Sequence, residues 1–446
     1  AGAGRSAGRV TVRRWLVERA RDLDDALDRL RSRPRRIVFD ARTPMNYVMW
    51  RPVAERLAAD PRIELWHMAG EERGRPVDLY RTVGVTERIV SRLEAQLIRF
   101  DLYVCADFVA TWLRRRVRRL HIFHGVAGKY GFDEPDPARM GHFDAFFFVN
   151  RDRMVKYLRR GVVGREGAFL VGMPKLDRLV DGSLPKEAAA RRFGLDPSRP
   201  TVLYAPTWSS ASSLPALGER LLAALAGLGV NVLVKLHDRL ADPRPRYSGG
   251  VDWRARLAPL EAAGRLVLAR DPDATPALAA ADLLVTDHSS VGFEFLLLDR
   301  PVVVIDRPEL LRETRAHPDQ VAWLREVGAV ARSVEEVVAE VCLGLAEPWR
   351  RRAARRRVAR RLFYRPGSAT ARAVAGVYRL LALTPLPASA QEEPTDHAGA
   401  SVCAGAGGRG RPASHAADAG AAEVLAAGRR PADRPLAVGG AGGVRP

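Results

Sequence analysis

Short apolar runs without polar alternation recur along this chain, each followed by a polar turn and then by apolar positions at helical spacing. Arg36-Ile37-Val38-Phe39-Asp40 is the first; helical spacing follows over Tyr47 to Ala58, and Arg62-Ile63-Glu64-Leu65-Trp66-His67 completes a βαβ unit. Asp101 to Cys105, Leu120 to Phe123, Ala145 to Val149 and Ala168 to Val171 continue the series. Runs that do not alternate predict strands buried on both faces, the mark of a parallel sheet. A polar, Pro-containing stretch from Asp181 to Pro200 interrupts the pattern. It restarts with Thr201 to Ala205, a helix over Leu217 to Leu228, and strands at Asn231 to Lys235, Leu266 to Leu268, Leu283 to Thr286 and Val302 to Ile305. The expected fold is α/β, with two Rossmann-like doubly wound parallel-sheet domains, at residues 35–180 and 200–345, facing a cleft. Ligands of such sheets sit beyond the carboxyl ends of the strands.

The flanks differ. Residues 1–34 hold an amphipathic basic helix, Val10 to Leu30, stopped by Pro34. Residues 346–384 contain an arginine-dense run from Trp349 to Arg361 and a terminal helix from Ser368 to Leu381 behind the breaker pair Pro366-Gly367. Residues 385–446 reduce to Ala, Gly, Pro and Arg without apolar periodicity and are expected to be disordered.

At 446 residues the chain exceeds one hydrophobic core. The formal charge of +20 suggests a polyanion. Lysine, however, occurs only at positions 129, 156, 175, 186 and 235, so the excess is arginine in an Ala-, Gly- and Pro-rich chain. That bias accounts for the charge as readily as a ligand does, and no nucleic-acid partner is expected. Cys105, Cys342 and Cys403 are far apart and lack metal-ligand spacing, which fits a reducing compartment. No run reaches the roughly 18 apolar residues that cross a bilayer, and no signal-peptide core is present. The expected place is the cytoplasm, with peripheral contact to an anionic membrane through the basic segments near residues 10–30 and 349–361.

Candidate chemistry lies at the predicted strand ends. The strand ending at Thr286-Asp287 runs through His288-Ser289-Ser290 into a predicted helix, Val291 to Leu298. Serine hydroxyls and the free N–H groups of a helix start suit a phosphate, although the plainer reading is a capping serine. Glu294, one turn along, is placed to accept hydrogen bonds from ribose hydroxyls. Lys235 and His237, two residues apart and expected on one side of the strand, suit a diphosphate leaving group. Thr207, in Ala205-Pro206-Thr207-Trp208-Ser209, adds a hydroxyl at the same edge. In the first domain His124-Gly125-Val126-Ala127-Gly128-Lys129 follows a strand; its glycines permit close backbone approach and His124 is a candidate general base toward an acceptor hydroxyl. Gly125 and Lys129 fall on that acceptor side, whereas His67, His121 and His142 read as packed histidines.

Taken in order, Phe123-His124-Gly125, Gly172-Met173-Pro174-Lys175-Leu176-Asp177, Tyr204-Ala205-Pro206-Thr207-Trp208, Val234-Lys235-Leu236-His237 and Thr286 to Phe295 with Arg300-Pro301 resemble the CDP-glycerol glycerophosphotransferases of teichoic-acid and related polymer synthesis. The resemblance covers roughly residues 36–380. It implies a GT-B fold and transfer of glycerol phosphate, or another polyol phosphate, from a CDP-linked donor to an acceptor hydroxyl, with release of CMP. It implies a lipid-linked or polymeric acceptor, and neither a cofactor nor a metal. Carried over by position, His124 is the base, His237 contacts the donor diphosphate, Ser289 and Ser290 bind its phosphates, and Glu294 holds the ribose. The chain departs from the family at Val126-Ala127-Gly128, where Thr-Pro-Leu is common, at His288, where tyrosine is common, and at Glu294, where aspartate is. Competing readings are a sugar-nucleotide glycosyltransferase or UDP-N-acetylglucosamine 2-epimerase-like enzyme of the same fold, and a non-catalytic basic protein that binds membranes or polyanions.

Overall fold

A computed structural model describes Arg19 and residues 33–69, 76–108, 110–113, 117–126, 134–241 and 244–386. The expected basic helix at residues 10–30, apart from Arg19, and Lys129 and the tail beyond residue 386 lie outside the described residues.

The first sheet contains β1 (Arg35–Ala41), β2 (Ile63–Ala69), β3 (Ile89–Val90), β4 (Leu102–Cys105), β5 (Arg118–Ile122), β6 (Ala145–Phe148) and β7 (Ala168–Leu170), in the order β3-β2-β1-β4-β5-β6-β7. The second contains β8 (Thr201–Tyr204), β9 (Asn231–Val234), β10 (Val267–Leu268), β11 (Leu283–Thr286), β12 (Val302–Ile305) and β13 (Ala329–Ala331), in the order β10-β9-β8-β11-β12-β13. Every pairing is parallel. Strand order reverses between β1 and β4 in one lobe and between β8 and β11 in the other, and crevices open at such points. Only the short edge strands β3 and β13 were not anticipated, because two or three residues carry no periodicity.

Burial explains the lack of alternation. In the second sheet Val202, Tyr204, Val232, Val234, Leu283, Val285 and Val303 pack into one apolar cluster. The intervening Leu203, Leu233, Leu284, Val302 and Val304 point the other way, into a cluster continuous with the core of the first lobe. Successive side chains therefore alternate between two apolar layers, not between core and water.

Polar contacts join the lobes where the chain passes from one to the other. Asp177, in the 3₁₀ turn Pro174–Leu179, accepts hydrogen bonds from Gly367 N at 2.8 Å, Ala369 N at 3.0 Å and Thr370 N at 2.7 Å, and so caps the terminal helix Ala369–Leu381. That helix returns to the first lobe, where Gly376 meets the Phe147 ring; a Cβ there would lie 2.9 Å from the ring carbons. In the same turn Lys175 Nζ lies 2.9 Å from Oε1 and 2.8 Å from Oε2 of Glu294, a fully buried pair linking the two lobes. Removing one member of such a pair strands a buried charge. Lys175→Met should therefore lower unfolding free energy by about 3–5 kcal/mol, whereas Lys175→Met with Glu294→Met should recover most of it, as read by urea denaturation.

Candidate active site

The carboxyl ends of the strands of both sheets enclose a cleft of about 660 Å³. From the first lobe it is lined by Thr43, Met45 and Asn46 after β1, Asp107 and Phe108 after β4, and Phe123, His124 and Gly125 after β5. From the second lobe come Thr207 and Trp208 after β8, His237 and Arg239 after β9, and Ser289 and Ser290 after β11. A Cβ built on Gly125 would lie 4.0 Å from Cβ of Ser290, so the two lobes approach closely where these loops meet.

His124 is exposed to this cleft and its Nδ1 lies 2.7 Å from the Ala106 carbonyl oxygen. A carbonyl only accepts, so Nδ1 carries the proton and Nε2 keeps its lone pair. Desolvation by the surrounding protein lowers the His124 pKa below its ordinary value of 6.5, against opposing effects of the Ala106 carbonyl and the Asp107 carboxylate. Arg153, over the Phe123 ring at 4.7 Å, donates to Gly125 O at 2.9 Å and Val126 O at 3.3 Å and holds the loop in place.

His237 has the opposite arrangement. Its Nδ1 accepts the backbone N–H of Arg239 at 3.2 Å, which leaves the proton of the neutral ring on Nε2. One imidazole offers a lone pair and the other a donor.

Ser289 occupies the N-cap of the short helix Ser290–Glu294, which continues as a 3₁₀ turn through Leu298, but its side chain makes no capping hydrogen bond. The plainer capping reading therefore fails at that hydroxyl. Ser290 opens the helix with its side chain at the cleft wall.

Three of the sequence-predicted donor residues do not reach the cleft lining. Asp287 is buried and accepts from Thr207 N at 2.8 Å, Ser213 N at 3.1 Å and Ser213 Oγ at 2.9 Å, so it fixes the loop after β8. Lys235 is buried and donates to Leu236 O at 2.9 Å, and burial lowers its pKa. It and His237 do not share a strand face, because β9 ends at Val234 and the pleat period stops there. Glu294 is turned away from the cleft onto Lys175, and burial raises its pKa in spite of the ammonium. The three histidines read as packing residues include two in the core: His67 against Tyr47 and Tyr80, and His121 among Phe108, Phe123, Phe143 and Phe146. His142 lies at the surface, its ring centroid 4.3 Å from that of Phe143 at an angle of 37°.

Sequence reasoning missed Asn46 and Asp107, which stand at carboxyl ends of strands already recognised, and Arg139, Arg153, Arg239 and Arg315, which come from helices and loops without a local signature. Arg239 lies over Trp208 at 4.5 Å and Tyr247 at 5.0 Å, a guanidinium on aromatic rings at the second-lobe wall of the cleft.

The sequence model of the family described as CDP-Glycerol:Poly(glycerophosphate) glycerophosphotransferase matches residues 81–378. No curated protein matches the sequence. Among solved structures the wall teichoic acid polymerase TagF is similar, with a TM-score of 0.58 at 15% identity over 84% of this chain and 97% of that one. A TagF variant soaked with CDPG gives 0.57 at 14% identity over the same shares. An S. aureus MnaA–UDP co-structure gives 0.53 at 15% identity, over 82% of this chain and all of that one. These similarities establish the GT-B fold. The family match extends from the first lobe to the terminal helix, and the chain belongs to the CDP-glycerol:poly(glycerophosphate) glycerophosphotransferase family.

Proposed function

We propose that His124 is the general base and that His237, Ser289 and Ser290 hold the diphosphate of a CDP-linked polyol donor. The family reaction is polyol-phosphate transfer from such a donor. The observation that carries the assignment of roles is the pair of complementary imidazoles, one with Nε2 as acceptor and one with Nε2–H as donor, on loops from different lobes.

In the proposed step an acceptor hydroxyl gives its proton to His124 Nε2 as its oxygen attacks the phosphorus that bears the polyol. The new phosphodiester bond forms as the bond to the bridging oxygen breaks, and CMP leaves with that oxygen and its electron pair. The negative charge that develops on CMP is met by His237 Nε2–H, by the hydroxyls of Ser289 and Ser290, and by the N–H groups opening their helix. Asp287 and Arg153 act as positioning residues, and Arg239 extends the cationic wall. Lys235 and Glu294 are buried outside this inner shell, and the ribose contact first expected of Glu294 is left to groups that line the cleft. The acceptor in this reading is a lipid-linked or growing polyol-phosphate chain, as the family's polymer suggests; none of the described helices is long and apolar enough to cross a membrane.

Calorimetry with CDP-glycerol, CDP-ribitol and UDP-N-acetylglucosamine, followed by a CMP-release assay, tests the donor assignment. Binding of CDP-polyols alone is expected, and tight binding only of the UDP sugar would overturn the reading. His124→Ala should lower kcat by about 10²–10⁴-fold with donor Kd nearly unchanged. Ser290→Ala and His237→Ala should weaken donor binding as well as turnover.

The pH profile follows from the base. His124 works as the neutral imidazole and its pKa lies below 6.5, so activity should rise with pH through a value on the acid side of 6.5 and then level off. A limb centred above pH 7, or one unchanged in His124→Gln residual activity, would assign it to another group.

A further inference from the structure

Asn46 lines the cleft but has no part in the transfer step described above. It stands in the first turn of the helix Pro44–Ala58 and is 5% exposed. Its Oδ1 accepts from the backbone N–H groups of Arg42 and Thr43, each at 3.1 Å, and from Thr43 Oγ1 at 3.3 Å. Two N–H donors need an oxygen opposite them, so the orientation of the amide is fixed and Nδ2 is turned away from the cap. No described residue accepts a hydrogen bond from that Nδ2. Capping uses the oxygen alone, and an aspartate would cap as well and suit the positive helix end better. The amide nitrogen is therefore the part of Asn46 that the fold leaves for a ligand.

From this geometry we infer that Asn46 and the start of its helix form a subsite for a phosphodiester of the acceptor, the one that follows the attacking hydroxyl. The inference rests on the transferase reading above, which supplies an acceptor made of polyol phosphate. The chemistry is that of an anion site, with an amide nitrogen that only donates and the positive end of a 15-residue helix. Arg139 adds a cation: its guanidinium lies over the Phe108 ring at 5.0 Å, and that ring meets the His124 ring at 5.9 Å and 74°. Asp107, the carboxylate on this wall, is engaged elsewhere. Its Oδ1 accepts from Phe108 N at 2.6 Å and its Oδ2 lies 3.9 Å from Arg42 Nε.

Position supports the same occupant. Along the carboxyl edge of the first sheet the order β1-β4-β5 sets Asn46 first, Asp107 and Phe108 next, and His124 last. Neighbouring strands lie about 4.8 Å apart, so the strands that anchor Asn46 and His124 are offset by roughly 10 Å. That span suits a molecule that brings a hydroxyl to His124 Nε2 and its next anionic group toward Asn46. In a polyol-phosphate chain a single polyol separates the two. His237, Ser289 and Ser290 face this wall from the other lobe, so the subsite does not compete with the donor diphosphate.

The test compares two acceptors in the CMP-release assay with CDP-glycerol: glycerophosphoglycerol, in which one phosphodiester joins two glycerols, and glycerol itself. For the wild-type full chain kcat/KM should favour glycerophosphoglycerol by about tenfold or more. Asn46→Asp keeps an oxygen opposite the Arg42 and Thr43 N–H groups, which hold it ionised, and turns a second oxygen on the ligand. It should abolish the preference while Tm and the calorimetric Kd for CDP-glycerol stay near wild type. Asn46→Ala, which loses the cap as well, should also lower Tm. Arg139→Gln should reduce the preference in part. Equal use of the two acceptors by the wild type, or an intact preference in Asn46→Asp, overturns the proposal. So does a loss of CDP-glycerol affinity in Asn46→Asp as large as the loss of preference, which would make Asn46 a donor contact. If the wild type binds no CDP-linked donor, the transferase reading fails, and ligand-observed NMR then judges the subsite alone: binding of glycerophosphoglycerol that Asn46→Asp removes sustains it, and no binding overturns it.

Discussion

The second-lobe wall of the cleft depends on one buried carboxylate. A desolvated charge is tolerable only when its lone pairs are met, and Asp287 meets them with the backbone N–H of Thr207 and with the N–H and hydroxyl of Ser213. These bonds tie the loop after β8 to the turn after β11. Thr286 Oγ1 to Ala205 O, at 2.7 Å, adds a second tie between the same segments. With the carboxylate turned inward, the residues that follow it, Ser289 and Ser290, emerge at the cleft. The cleft wall is thus set by hydrogen bonds within the protein, independently of any ligand.

This also explains what was legible in the sequence. Each apolar run read as a strand became one, because burial on both faces favours continuous apolar residues. Residues just past those runs, His124, Gly125, Thr207, His237, Ser289 and Ser290, line one cleft for the same reason: in a parallel sheet all carboxyl ends share one edge. Lys235 and Glu294 were misread because their direction depends on contacts distant in the chain. Glu294 faces Lys175, 119 positions away, and no local pattern announces that partner. The helix Pro44–Ala58 begins three residues before its apolar periodicity, with proline in its first turn, and its opening Met45 and Asn46 reach the cleft.

The two histidines show how backbone geometry assigns chemistry to identical side chains. A carbonyl opposite Nδ1 makes His124 an acceptor at its far nitrogen, whereas an N–H opposite Nδ1 makes His237 a donor there. Neither assignment can be read from residue type. Both follow from which backbone group the preceding or following loop turns toward the ring, and thus from the strand ends that anchor those loops. The core histidines bracket the comparison: at His67 desolvation pushes the pKa down to about 4, and at His121 the same effect keeps the ring neutral among phenylalanines.

The arginine excess divides in the same way between structure and surface. Arg355 is almost completely buried, and its guanidinium is met by the Asp299 carboxylate and by the carbonyls of Asp299, Pro348 and Arg350. Arg372 reaches the carbonyls of Val171, Tyr364 and Arg365 around the junction. A planar fork with five donors suits such work, because it collects several carbonyls that end helices and turns, which an ammonium cannot do with the same geometry. Net charge therefore overstates the cationic surface on offer to a polyanion. The arginines within reach of a ligand in the cleft are those the fold leaves at its wall, and position, not number, separates them from the rest.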